Sequence, residues 1–154
     1  APVAIDAIGV GEYDGSHIEA ECYMRLSGNV VKRQHVGSQK RAGLFEVAMT
    51  SGGELEYPNI QHDGATKIRL RTIAVSMDGA AVQLEVEELL CAGSVGRRLA
   101  VCSLPVLGQN QHAEYAEHEC RLSAALTPGM GLVLRMVSTV SGAELRLDSF
   151  RVLL

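Results

Sequence analysis

Along much of the chain, apolar and polar residues alternate one for one. In Lys67-Ile68-Arg69-Leu70-Arg71-Thr72-Ile73, Ile68 and Leu70 fall on one side and the charged residues on the other. Val82-Gln83-Leu84-Glu85-Val86-Glu87, Leu132-Val133-Leu134-Arg135-Met136-Val137 and Glu144-Leu145-Arg146-Leu147-Asp148 follow the same rule. A period of two is that of an extended strand, whose successive side chains point to opposite faces. Each segment is therefore predicted to be a strand with one face on a core and one in water. Between them stand Ser51-Gly52-Gly53, Asp63-Gly64, Asp78-Gly79, Pro128-Gly129 and Ser141-Gly142, dipeptides and tripeptides that favour turns. No long amphipathic helical pattern alternates with the strands, so a parallel α/β sheet is disfavoured and an all-β sandwich is predicted.

Two stretches depart from this pattern. His112-Ala113-Glu114-Tyr115-Ala116-Glu117-His118-Glu119-Cys120 is built from good helix formers, and its local propensity predicts a helix. On such a helix Glu114 and His118 would stand one turn apart, as zinc ligands often do, but no zinc-protease signature surrounds them. Near the C-terminus the apolar phase slips from Leu145 and Leu147 to Phe150 and Val152. A β-bulge near Asp148 would produce that slip.

The bulk composition narrows the function. The chain has 154 residues, 47% hydrophobic and 21% charged, an ordinary balance for one globular domain. Residues 1–15 read as a leader strand or linker to it. A net charge of −4 gives no electrostatic pull toward phosphate backbones, which argues against nucleic acid as a partner. No apolar run is long enough for a membrane-spanning helix. A start at Ala1-Pro2-Val3 rather than Met reads as processing or excision, compatible with a removed signal. Four cysteines allow three pairings. Cys91 and Cys102 flank the hairpin-like Ala92–Arg98, so strands leaving that loop could hold them within disulfide reach; two buried thiols are the alternative.

Few residues carry a chemical signature. Glu19 and Glu21, in Ile18-Glu19-Ala20-Glu21-Cys22, share one face of a strand and repel each other unless something neutralises them. A calcium ion, with its preference for several hard oxygen ligands, would do so; a solvated acidic face is the simpler reading. Nucleophile elbows, phosphate loops and Cys-x-x-Cys pairs are absent, and no carboxylate spacing identifies an acid/base pair. The sequence offers no positive evidence for an enzyme.

The order of these segments resembles the family 6 carbohydrate-binding modules. Ile18-Glu19-Ala20-Glu21 is similar to their opening strand, and Ser27-Gly28 to the turn after it. Gly52-Gly53-Glu54-Leu55-Glu56-Tyr57 looks like a variant of their Gly-Asp-aromatic-x-x-Tyr strand, and Arg146-Leu147-Asp148-Ser149-Phe150 resembles their final strand. The strands Lys67–Ala74 and Ala81–Glu88 and the hairpin Gly96–Pro105 follow in matching order, so the likeness spans roughly residues 16–154. It implies a jelly-roll β-sandwich of two antiparallel sheets. It also implies a structural calcium held by Glu19, Glu21 and Asp148, and a strand rather than a helix at 112–120.

The resemblance further implies a sugar site at one end of the sandwich, where two aromatics and an asparagine grip the ring. Here those positions hold His112, Ala48 (with Phe45 nearby) and Arg146, while Glu54 replaces the aromatic after the Gly-Asp pair. The expected ligand-binding residues are His112, Arg146, Glu54 and Phe45. A guanidinium at this place would suit an anionic or heavily hydroxylated glycan. Alternatively the end site is lost and the concave sheet face serves instead. The expected function is non-catalytic binding of a polysaccharide or oligosaccharide, targeting a tethered glycoside hydrolase or related catalytic domain in a secreted or extracellular protein. The rival is a structural or protein-interaction sandwich that keeps calcium and has lost the sugar.

Overall fold

The computed structural model describes residues 13–34, 45–76, 81–90, 94–106, 114–137 and 142–154. Among these described residues thirteen strands follow one another: β1 (Tyr13–Asp14), β2 (Ile18–Glu19), β3 (Arg25–Ser27), β4 (Val30–Gln34), β5 (Phe45–Met49), β6 (Glu54–Tyr57), β7 (Ile60–Gln61), β8 (Lys67–Val75), β9 (Val82–Leu89), β10 (Val95–Leu104), β11 (Ala116–Arg121), β12 (Gly131–Val137) and β13 (Glu144–Leu153). A 3-10 turn, Ala20–Cys22, follows β2. Among the described residues no helix is long and apolar enough to cross a membrane.

Two sheets make the sandwich. One has the order β10-β9-β12-β6-β3; the other has β11-β8-β13-β5-β4, with β2 added beside β13. Among the described residues all pairings within them are antiparallel, and only the short β1–β7 pair is parallel. This is the jelly-roll arrangement. The alternation in sequence becomes alternation in burial: Ile68 and Leu70 of β8, Leu145 and Leu147 of β13, and Val82, Leu84 and Val86 of β9 are fully buried between the sheets. Each such side chain contributes about 1.5–3 kcal/mol relative to exposure. At the centre Tyr57 meets Phe150 edge-on at 4.8 Å and Tyr13 at 5.7 Å, and its hydroxyl donates to the Ala20 carbonyl at 2.7 Å.

Glycine is required where the turns cross. Gly28 has φ of +72°, and a Cβ there would run into the Gly52 backbone. The Asp78-Gly79 turn lies outside the described residues.

One expectation, the strand implied by the resemblance, is met against local propensity, and one is corrected. Residues 116–121 form a strand against their helical propensity, because β11 pairs residue for residue with β8, from Ala116↔Thr72 to Arg121↔Lys67. Glu114 and His118 therefore never stack as on a helix. The disulfide joins Cys102 to Cys120, with Cα atoms 5.8 Å apart, so Cys102 does not pair with Cys91. The bond ties β10, an edge of one sheet, to β11, an edge of the other. Cys22 is a buried free thiol, and Cys91 lies outside the described residues. The slip in β13 is a bulge: register shifts between Leu147 and Ser149, leaving Asp148 as the extra residue.

Candidate functional site

The outer face of the six-stranded sheet carries the chemistry. Val31, Ala48, Arg146 and Ile73 are consecutive cross-strand partners on β4, β5, β13 and β8. Because their neighbours Val47, Met49, Leu145 and Leu147 point into the core, this row faces outward. Beside it runs an open groove of about 410 Å³ lined by Asn29, Val31, Ala48, Thr50 and Glu144. Arg146 donates from Nε to Glu144 Oε1 at 2.7 Å, which ties its guanidinium to a residue that lines the groove. The structure thus brings Arg146 next to Ala48, the position where the resemblance implies a stacking aromatic. Ala48 supplies only a methyl there. Phe45 opens β5 with its side chain outside the described residues, as is His112.

One turn of pleat further along, the same face holds a buried polar cluster. Tyr115 donates its hydroxyl to the carboxylate of Glu46, which is fully buried. The Arg71 guanidinium lies over the Tyr115 ring, 5.5 Å from its centroid, and its Nε is 3.1 Å from Asp148 Oδ2. Burial, then the hydrogen bond and charge of Glu46 and the charge of Asp148, push the Tyr115 phenol well above its ordinary pKa; Arg146 pulls weakly the other way. Nothing in the spacing of Phe45-Glu46-Val47-Ala48-Met49 announced this cluster. Alternation puts Glu46 on the outward face, yet it is buried there and bonded to Tyr115, remote in sequence.

The three carboxylates expected to bind calcium share one corner. Glu19 sits opposite Ser149, next to the bulged Asp148. Asp148 is fully buried and Glu21, in the 3-10 turn, nearly so. His17 Nε2 is 2.8 Å from Glu19 Oε1. As a donor set, three carboxylates, two of them buried, from β2, the 3-10 turn and β13 suit a hard cation. Among the described residues, however, no three Asp, Glu, His or Cys side chains converge on one point, and Asp148 already faces Arg71.

Glu54 lies elsewhere. It is on the outer face of the five-stranded sheet, where it accepts from Ser27 Oγ at 2.9 Å and is ion-paired to Arg135. Arg135 also reaches Glu87 at 2.5 Å and Glu85 at 3.4 Å. Burial alone would raise the Glu54 pKa, but hydrogen bonds from Arg135 and Ser27 outweigh it and hold the carboxyl below its ordinary range. Glu54 and Arg146 project from opposite sides of the sandwich, so they do not form one site.

No protein-family model matches the sequence, and no curated protein matches it. Solved structures do. A family 6 carbohydrate-binding module from Clostridium stercorarium in complex with cellobiose is similar over 95% of this chain and 98% of that one, with a TM-score of 0.69 and 18% identity. The carbohydrate-binding module CBM36 in complex with calcium and xylotriose matches 90% of this chain and 99% of its own, with a TM-score of 0.63 and 11% identity. A glycoside hydrolase family 43 arabinoxylan arabinofuranohydrolase from Bacillus subtilis, in complex with cellotetraose, matches 93% of this chain but only 28% of its own length, with a TM-score of 0.71 and 14% identity. The chain has the fold of these modules.

Proposed function

We propose that this chain is a non-catalytic module that binds a polysaccharide or oligosaccharide on the outer face of its six-stranded sheet. The groove lined by Val31, Ala48 and Glu144, with Arg146 paired to Ala48 on the neighbouring strand, carries the reading. It is shallow and open; Val31 offers an exposed apolar side chain, and Glu144 holds the half-buried Arg146 guanidinium. A sugar offers apolar C–H faces and convergent hydroxyls, and such a wall meets both. His112, outside the described residues, is kept as a ligand-binding candidate on the family resemblance alone. The cellobiose and xylotriose complexes of similar modules support a saccharide as the ligand class.

A shallow site acts by raising the local concentration of whatever is attached to it. The partner proposed is a tethered glycoside hydrolase, supported by the family 43 enzyme in which this fold fills 28% of the chain. A disulfide between two sheet edges supports an oxidising, extracellular setting. Calcium is proposed at the corner of Glu19, Glu21 and Asp148. Its donor chemistry supports that assignment, and the ion would supply charge neutralisation between the first and last strands.

The replacement of a stacking aromatic by Ala48 favours a second reading, a protein-interaction sandwich without sugar affinity. A glycan-array screen of the intact chain separates the two. Retention by at least one saccharide is expected; a blank array together with capture of a defined protein partner would support the second.

A further inference from the structure

Beyond the bulge the outer face of the six-stranded sheet turns cationic. Arg69 and Arg151 are direct cross-strand partners on β8 and β13, and Arg71 is the partner of Ser149 two pairs along, on the same face. Together with His17 these residues line a small cleft of about 110 Å³, in which Glu117 is the one acid, set against three guanidiniums. Like charges placed directly opposite in a sheet repel. Arg69 is offset by Glu119 at 2.8 Å, Arg71 by Asp148 and His17 by Glu19. Arg151 makes no ion pair or side-chain hydrogen bond among the described residues, and it faces Arg69 across the strands.

We propose that this arginine cleft binds the acidic substituent, a carboxylate or a sulfate, of a polyanionic glycan. The inference rests on the reading of the chain as a glycan-binding module and names the class of glycan. The cleft holds roughly three or four waters by volume, room for an acid group rather than a whole sugar ring. Planar guanidinium forks match carboxylate and sulfate oxygens in a bidentate way. The Ser149 hydroxyl adds a polar wall. Arg146 and Arg151 lie five residues apart on the same strand, a separation of roughly 17 Å at strand rise. A polymer laid along β13 therefore meets Arg146 and the adjoining groove at Ala48 with one sugar and the arginine cleft with the acid group of another a few residues away. A net charge of −4 makes general ion exchange a poor explanation for any retention by acidic polymers.

The test is affinity electrophoresis of the intact chain in gels containing κ-carrageenan, alginate, neutral agarose or xylan. Carrageenan probes sulfate and alginate probes carboxylate, so the stronger of the two names the substituent. The expected result is retardation by an acidic polymer well above that by its neutral counterpart. Arg151→Ala should weaken that binding at least about tenfold, as the loss of one charge-assisted contact does, with the melting temperature unchanged. Arg151→Lys should restore part of it. Acidic binding untouched by a folded Arg151→Ala overturns the proposal. Should Arg151→Ala melt early, salt decides on the wild-type chain: retardation by the acidic polymer must fall steeply as ionic strength rises, and insensitivity to salt overturns the cleft. Binding to xylan or agarose at least equal to the acidic polymers overturns the arginine cleft but leaves glycan binding standing. No retardation by any polymer removes both.

Discussion

Arg71 and Asp148 form a 3.1 Å ion pair across the bulge in β13, and the same guanidinium packs over the Tyr115 ring. Asp148 is fully buried while Arg71 is partly exposed. The bulge makes the pair possible. Were β13 regular through Asp148, Asp148 would keep the phase of Arg146 and the rest of the strand would turn its apolar side chains outward.

Arg71→Met should therefore be costly, because it leaves the buried Asp148 carboxylate without that cation. A loss of about 3 kcal/mol is expected in urea unfolding. The double variant with Asp148→Asn should recover much of it, since a neutral side chain is cheaper to bury. A change within experimental error in Arg71→Met would show that other groups carry the charge.

The Cys102–Cys120 bond closes a loop with a sequence separation of 18 residues. That loop includes Tyr115, and, in sequence, His112. Constraining a loop of this length in the unfolded chain is worth about 3 kcal/mol. Cys102→Ser together with Cys120→Ser should lower stability by about that amount and match the effect of a reductant on the wild type. A reductant without effect on the melting curve would contradict the bond.

Glu88 gives the acid side of the stability profile. It is buried, and it accepts from Arg97 Nε at 3.3 Å, Arg97 Nη2 at 3.2 Å and the Thr127 backbone N–H at 3.0 Å. The hydrogen bond from Arg97 is the main cause that holds its carboxyl below the ordinary value of 4.5, against the opposing effect of burial. A pKa depressed on folding stabilises above the unfolded value, and that stability is lost as pH falls through the folded one. Glu88→Gln should be less stable at neutral pH and should lose less between neutral pH and the region below the ordinary carboxylate range. Parallel melting profiles for the two proteins would remove Glu88 as the group responsible.

Calcium at the Glu19, Glu21 and Asp148 corner predicts a melting temperature that falls on chelation and recovers on adding the ion, because a ligand that binds only the folded state stabilises it. Glu21→Ala should melt near the chelated wild type and ignore the chelator. Equal melting with and without chelator would leave the balancing of these carboxylates to Arg71 and His17.

The architecture was largely legible because alternation is a local property. Ile68, Leu70, Leu84 and Leu145 could be placed on the core face from their nearest neighbours alone, and the phase change at Asp148 located the bulge. What escaped depends on partners distant in sequence. At 116–121 local propensity alone misses the strand, which the resemblance implied and six consecutive pairings with β8 hold. Cys102 finds Cys120 across the side of the sandwich, a proximity that no hairpin argument supplies. Glu46 alternates like a solvated residue, yet it is buried and bonded to Tyr115. Glu54 was grouped with Arg146 by its place in a motif, but strand order assigns it to the opposite sheet, where Arg135 holds it. The arginine cleft was equally hidden, since Arg69 and Arg151 become neighbours only through the β8–β13 register.

Titration of the intact chain and of Arg146→Ala with the saccharide selected by array is the most direct test of glycan binding on this face. Arg146 lies on the surface of its sheet and bonds only Glu144 among the contacts described above. Its loss should weaken binding about tenfold and leave the melting curve in place. Equal affinity of the two proteins, or no saccharide bound by the wild type, would contradict the account.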